Sequence, residues 1–114
     1  MAKERIGIMG GTFNPVHQGH IDMAHAAAAQ AKLDSVLFLP TGNPPHKREG
    51  VVDAEDRYRM AAAAIAQDEV LTPSRLELDR EGVIYTVDTL IILKDKYPKA
   101  QLFYIIGMDT LMEL

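Results

Sequence analysis

The sequence predicts an α/β fold, a mainly parallel sheet with helices on both faces, and three observations carry that expectation. Short apolar runs alternate with amphipathic, helix-length segments along the chain. Each strong run stops at Gly or Pro, as a buried strand does on entering a loop. Helix-length separations between runs imply right-handed βαβ crossovers, and sheets built that way bind ligands beyond the carboxyl ends of their strands. The 114 residues, 47% hydrophobic and 25% charged, suit one domain spanning 1–114, with one core, and exclude disorder and collagen-like repeats.

Arg5 to Met9 is a short apolar run closed by Gly10 and Gly11. Gln18 to Lys32 is dense in Ala, with Ile21, Ala24, Ala28 and Ala31 at three- and four-residue spacing, which fits a helix packed closely on a sheet. Ser35 to Leu39 is the second buried strand, ended by Pro40. The segment Thr41 to Val52 holds Gly42, Pro44, Pro45 and Gly50 and reads as a loop. Asp53 caps a helix from Ala54 to Gln67, where Met60, Ala63, Ala64 and Ala66 or Gln67 are expected to supply the inward stripe and surface positions. Val70 to Leu78 is a strand interrupted at Pro73, and Asp79 to Gly82 a turn. Thr86 caps a helix to about Lys96, which Tyr97 and Pro98 end. Leu102 to Ile106 is the last apolar strand, and a further helix is expected from Met108.

Composition narrows the function classes. With no Cys there is no disulfide framework, thiolate metal site or cysteine nucleophile. No stretch approaches the roughly 20 apolar residues of a membrane helix, and the start of the chain lacks an apolar signal region, so a soluble cytoplasmic protein without a membrane partner is expected. A formal charge of −4 argues against a general nucleic-acid binder. A polyanionic ligand must therefore be met by a local cluster of donors.

The segment Gly10-Gly11-Thr12-Phe13-Asn14-Pro15-Val16-His17-Gln18-Gly19-His20 lies between a strand and a helix. Its glycines allow close backbone approach, and Pro15 stiffens the loop. His17 and His20, three apart, project from one face near the helix start, where free N–H groups and the positive dipole end favour a phosphate. The dinucleotide fingerprint and the P-loop both fail on glycine spacing or on the missing Gly-Lys-Ser/Thr. Zinc would need a third ligand, and no Asp, Glu or Cys stands at a helpful spacing. Two surface histidines at a helix start would leave the surrounding Gly, Asn and Pro unexplained. His25 alone in mid-helix is an ordinary surface residue.

These residues resemble the signature of the HxGH nucleotidylyltransferase superfamily, and the form GGTFNPVHxGH is similar to that of bacterial nicotinate mononucleotide adenylyltransferases. Pro40-Thr41-Gly42-Asn43-Pro44-Pro45-His46-Lys47 resembles that family's Pro-Pro-His-Lys/Arg loop, Tyr85-Thr86-Val87-Asp88-Thr89-Leu90 its Tyr-Thr-x-Asp-Thr-Leu helix start, and Gly107-Met108-Asp109 its Gly-x-Asp turn. The matches span the chain in the family's order. The residues carry readings of their own: His46, Lys47 and Arg48 are the densest cationic run, either a solvated patch or a phosphate contact. Thr86 as cap presents N–H groups that suit a carboxylate, or closes the helix and nothing more. Asp109 suits ribose hydroxyls or a helix cap.

What the resemblance implies is a Rossmann-like fold and transfer of the AMP moiety of ATP to the 5′-phosphate of nicotinate mononucleotide, giving deamido-NAD and pyrophosphate in NAD biosynthesis. It implies His17 and His20 as the catalytic phosphate-binding pair, Gly10, Gly11, Thr12 and Phe13 as the nucleotide bed, and Gly107 with Asp109 on the adenosine side. His46 and Lys47 would meet acceptor phosphate or pyrophosphate, and Thr86 the nicotinate carboxylate. Mg²⁺ is expected on the triphosphate, held mainly by phosphate and water. Family members continue to a second signature, Ile-Ser-x-Thr-x-x-Arg, and an aromatic that stacks on the pyridine ring; neither stands in this sequence. The fold is therefore expected to be incomplete at its C-terminus and the 114 residues alone inactive. A related adenylyltransferase with a nicotinamide mononucleotide or phosphopantetheine acceptor, and a non-catalytic nucleotide-binding fragment, stay open, as does a homo-oligomer.

Overall fold

A computed structural model of the chain describes residues 3–13, 16–42, 52–79, 86–106 and 110–113, and side chains throughout these except at 86, 106 and 110–113. Five strands form one sheet in the order β3-β2-β1-β4-β5. β1 (Arg5–Gly11), β2 (Ser35–Pro40), β3 (Leu71–Pro73) and β4 (Gln101–Ile106) are parallel, and β5 (Thr110–Glu113) runs antiparallel to β4. Helices α1 (Gln18–Ala31), α2 (Ala54–Ala64) and α3 (Thr86–Lys96) make the crossovers. The predicted α/β class, mainly parallel and Rossmann-like, is the one observed.

Alternation along the strands sorts the core into two layers. Met9, Val36, Phe38, Leu71, Phe103 and Ile105 pack with Ala24 and Ala27 of α1 and with Ile65 at the end of α2. Ile6, Ile8, Leu37, Leu39 and Leu102 face the other way, against Leu93 of α3. Both faces of the central strands are thus covered, which is why they read as unbroken apolar runs. Gly7 suits this packing, because a Cβ there would come within 2.6 Å of Leu33 Cδ1 and force that buried side chain to move. The small residues of α1 serve the same close approach.

Five expectations are corrected. α2 does not turn Met60, Ala63 and Ala64 inward: those three are exposed, and the sheet-facing stripe is Ala54, Arg57, Ala61 and Ile65. Hydropathy alone had no reason to choose a stripe containing an arginine. The helix also ends at Ala64, short of Gln67. β3 is three residues long, not nine, since after Pro73 the chain leaves the ladder through Ser74 N–H to Phe38 O and turns at Arg75 to Asp79. The segment after β4 holds a strand, not a helix. Met, Leu and Glu favour helix intrinsically, but pairing of Ile106 with Thr110 through Phe103 with Glu113 satisfies the outer edge of β4. Thr86 is the first residue of α3 rather than the residue before it, a one-residue difference at a helix end.

Candidate active site

The direction of the sheet places the site. Successive crossovers run from β1 outward to β3, then the chain returns across the sheet to lay β4 on the other side of β1. That reversal opens a crevice at the carboxyl ends of β1 and β4, the usual ligand position in open α/β sheets. Gly10 and Gly11 end β1 there, paired with Leu39 and Pro40, and Thr41 N–H donates to Gly11 O at 2.9 Å. α1, α2 and α3 each follow a parallel strand and so begin on this edge.

The start of α1 is built by its two histidines. His17 is the N-cap, with extended backbone, and its Nδ1 accepts the Gly19 N–H at 3.0 Å. His20 reaches back so that its Nδ1 accepts the His17 N–H, also at 3.0 Å. This is a capping box made of imidazoles instead of hydroxyl and carboxylate. A Cβ on Gly19 would fall 2.8 Å from His17 Cε1, so a side chain there would push the His17 ring out of its capping position. Because a backbone N–H can only donate, both Nδ1 atoms are acceptors, and each neutral ring carries its proton on Nε2.

The two rings stack at 3.8 Å between centroids and 29° between planes. Burial, and secondarily the neighbouring His17, hold the His20 imidazole below its ordinary pKa. Phe13 props the pair from beneath. Its ring meets His20 edge-on at 4.9 Å and lies parallel to Phe38 at 5.2 Å, which anchors it to β2. Phe13 also has φ of 48°, rare for a bulky residue and a local strain that the surrounding contacts must hold. Its buried side chain belongs to the core, so only its backbone can border a ligand.

The structure therefore brings together Gly10, Gly11, Thr12, Phe13, His17 and His20. Thr86 starts α3, and Thr89 in the first turn of that helix donates to Glu77 Oε1 at 3.1 Å. The Glu77 carbonyl in turn lies so close to Gly42 that a Cβ there would come within 3.0 Å. The root of the chain after β2 and the first turn of α3 thus share one support. His46, Lys47, Gly107 and Asp109 lie outside the described residues, as do Asn14, Pro15, Pro44 and Pro45. Among the described residues no three His, Asp or Glu side chains gather to hold a metal ion, and no helix is long and apolar enough to cross a membrane.

One residue of the site escaped the sequence reading. Arg57 of α2 is fully buried and donates to the carbonyls of Val52 and Thr12, each at 2.7 Å, and of Gly42 at 3.2 Å. Its spacing of three from Ala54 and four to Ala61 was the available signal.

The sequence model of the family described as "Cytidylyltransferase-like" matches residues 8–114. The chain belongs to this family. Among family relatives, proteins named "Probable nicotinate-nucleotide adenylyltransferase" are 47% identical over 112 residues in Moorella thermoacetica, covering 96% of this chain and 52% of that protein. One from Neisseria meningitidis is 44% identical over 111 residues, covering 97% of this chain and 56% of the relative. The chain spans about half the length of the curated relatives it matches. A solved structure of Plasmodium falciparum nicotinic acid mononucleotide adenylyltransferase complexed with NaAD superposes with a TM-score of 0.71 at 16% identity, over 89% of this chain and 50% of that one. The same enzyme complexed with APC gives 0.68, over 89% and 49%. At that identity the likeness shows the fold.

Proposed function

We propose that the protein carrying this chain is a nicotinate-nucleotide adenylyltransferase, joining ATP and nicotinate mononucleotide into deamido-NAD with release of pyrophosphate. The observation that carries the reading is the imidazole capping box. It fixes two Nε2–H donors side by side at a helix start, where the dipole and the remaining N–H groups already favour phosphate. The names of relatives near 45% identity and the NaAD in the neighbour's title support the choice of acceptor.

In the reaction the acceptor's phosphate oxygen attacks the α-phosphorus of ATP in line, and the bond to the pyrophosphate oxygen breaks. No covalent enzyme intermediate is needed, so the protein's work is alignment and stabilisation of charge. His17 and His20 donate through Nε2 to phosphate oxygens whose charge grows in the transition state. Gly10, Gly11, Thr12 and Phe13 supply a backbone bed. His46 and Lys47 are assigned to the acceptor phosphate or pyrophosphate, Thr86 to the nicotinate carboxylate, and Gly107 with Asp109 to the adenosine.

Mg²⁺ fits this arrangement as a passenger on the triphosphate, where it neutralises phosphate charge. The histidines spend Nδ1 on the backbone and present N–H groups, a donor set for phosphate oxygen and not for a cation. The cytoplasm, where ATP is abundant, is the proposed setting. Incubating the full-length protein with ATP, Mg²⁺ and either mononucleotide tests the reading by liquid chromatography of the products. Deamido-NAD and pyrophosphate are expected, with the acid preferred over the amide; no dinucleotide from either acceptor would overturn the assignment.

A further inference from the structure

Arg57 is the largest fully buried side chain of the chain's described part and carries a charge. Burying a guanidinium is costly, and proteins ordinarily offset the cost with a carboxylate. The oxygens that receive its hydrogen bonds here are neutral: Val52 O on Nε at 2.7 Å, Thr12 O and Thr41 Oγ1 on Nη1 at 2.7 and 3.4 Å, and Gly42 O on Nη2 at 3.2 Å. A planar fork suits such divergent partners, because its five N–H groups leave in fixed directions. The partners belong to three stretches of backbone. Thr12 follows β1 in the phosphate-facing segment, Thr41 and Gly42 follow β2, and Val52 leads into α2.

The contact with Thr12 has a geometric consequence. The Thr12 carbonyl and the Phe13 N–H belong to one trans peptide plane and point in opposite directions. Holding the carbonyl toward the buried guanidinium aims the Phe13 N–H away from it. The same peptide sets the entry into Phe13, whose φ of 48° directs its ring beneath His20. Strain of that kind persists only where neighbours over-determine it.

We propose that Arg57 is a positioning residue for adenylyl transfer: from behind the site it locks the Thr12–Phe13 peptide and ties it to the chain after β2, so that the backbone bed and His20 meet the substrate in one fixed arrangement. The proposal rests on the adenylyltransferase reading, and its test has one arm that does not. Arg57→Met and Arg57→Lys are made in the full-length protein and studied well below the Tm of each.

In the first arm, ¹⁵N relaxation is recorded without substrates. The order parameter of the Phe13 amide should fall from a rigid value to below about 0.6 in Arg57→Met while amides of β4 stay rigid. In the second arm, kcat should drop by about ten- to a hundredfold, the loss expected of misalignment at a distance, with smaller changes in either KM. Guanidinium ion at a few millimolar should restore part of kcat without restoring Tm, and Arg57→Lys should fall between. A Phe13 amide as rigid as in the native protein, or a folded variant with native kcat, overturns the proposal. So does a kcat loss that merely follows the folded fraction and ignores guanidinium. Should Arg57→Met not fold, Arg57→Lys decides by the same readouts. A native protein that makes no dinucleotide would sink the adenylyltransferase reading alone, leaving the Phe13 arm standing.

Discussion

α1 and α2 begin on the same edge of the sheet, one strand apart, yet their first turns are opposite in character. α2 is capped by Asp53, whose carboxylate accepts the Glu55 N–H at 3.1 Å, and it carries Glu55 and Asp56 in its first turn. Its dipole is answered by its own acids, and an incoming anion meets repulsion. α1 has no acidic residue in its first turn and is capped by imidazoles that turn Nε2–H donors outward. Equivalent backbone positions thus become a helix end answered by its own acids and one without them, and the cap residue makes the difference.

The largest effect should come from His20→Ala. It removes one preorganised donor and the far half of the capping box together, and turnover in the full-length protein should fall by about two to three powers of ten. Initial rates at saturating ATP and mononucleotide check this, and near-native turnover would contradict the assigned role. Making α1 resemble α2 is the next test. Gln18→Glu places a carboxylate in the first turn of α1, where Gln18 now bonds Asp22 at 2.8 Å. The KM for ATP should rise by roughly two- to thirtyfold, the range a helix-end charge produces, with kcat less affected. A rise that persists undiminished in 0.5 M salt would show that the effect is not electrostatic.

Truncating the cap of α2 should behave differently. Asp53→Ala removes the acceptor of the Glu55 N–H and should cost about 1 kcal/mol of stability, read as a lower urea midpoint. Catalysis should move less than stability does. If turnover fell as far as in His20→Ala, the two helix starts would not be as distinct as the geometry makes them.

How much of this was legible in the sequence depended on which force decided each element. β1, β2 and β4 lie in the middle of the sheet, buried on both sides, and their unbroken apolar runs gave them within two residues. The start of α1 followed from the Ala-dense run that begins at Gln18, whereas the capping box that His17 and His20 build was not read from their spacing. Tertiary pairing decided the rest. Thr110 to Glu113 is helix-prone by composition, yet it is held as a strand by the open edge of β4, which no local window contains. The inner face of α2 was hidden because its central residue is Arg57, whose charge is accommodated inside by carbonyls from three separate segments and by the nearby Asp53 carboxylate. Arg57 belongs to the candidate site for the same reason that it was invisible.

The smallest effect expected is also the one that isolates the pairing of the two imidazoles. His20 has its pKa lowered first by burial and second by the charge of His17, so the folded protein binds a proton there less readily than the unfolded chain. Stability should therefore decline as pH falls from the ordinary imidazole value of about 6.5 toward the depressed one, and be regained as pH rises. The structure supplies a second reason in the same direction, since a proton on His20 Nδ1 would face the His17 N–H and open the capping box. His17→Asn separates the two causes. Asn is among the best N-caps and can still accept the Gly19 N–H, so α1 should keep its start while the positive charge that opposes protonation of His20 disappears. An NMR titration of the His20 ring should then show its pKa moved up, yet still below the ordinary value because burial, the larger cause, remains. A titration curve for His20 that is unchanged in His17→Asn would mean that the stacked rings do not feel each other's charge and that burial alone keeps His20 neutral.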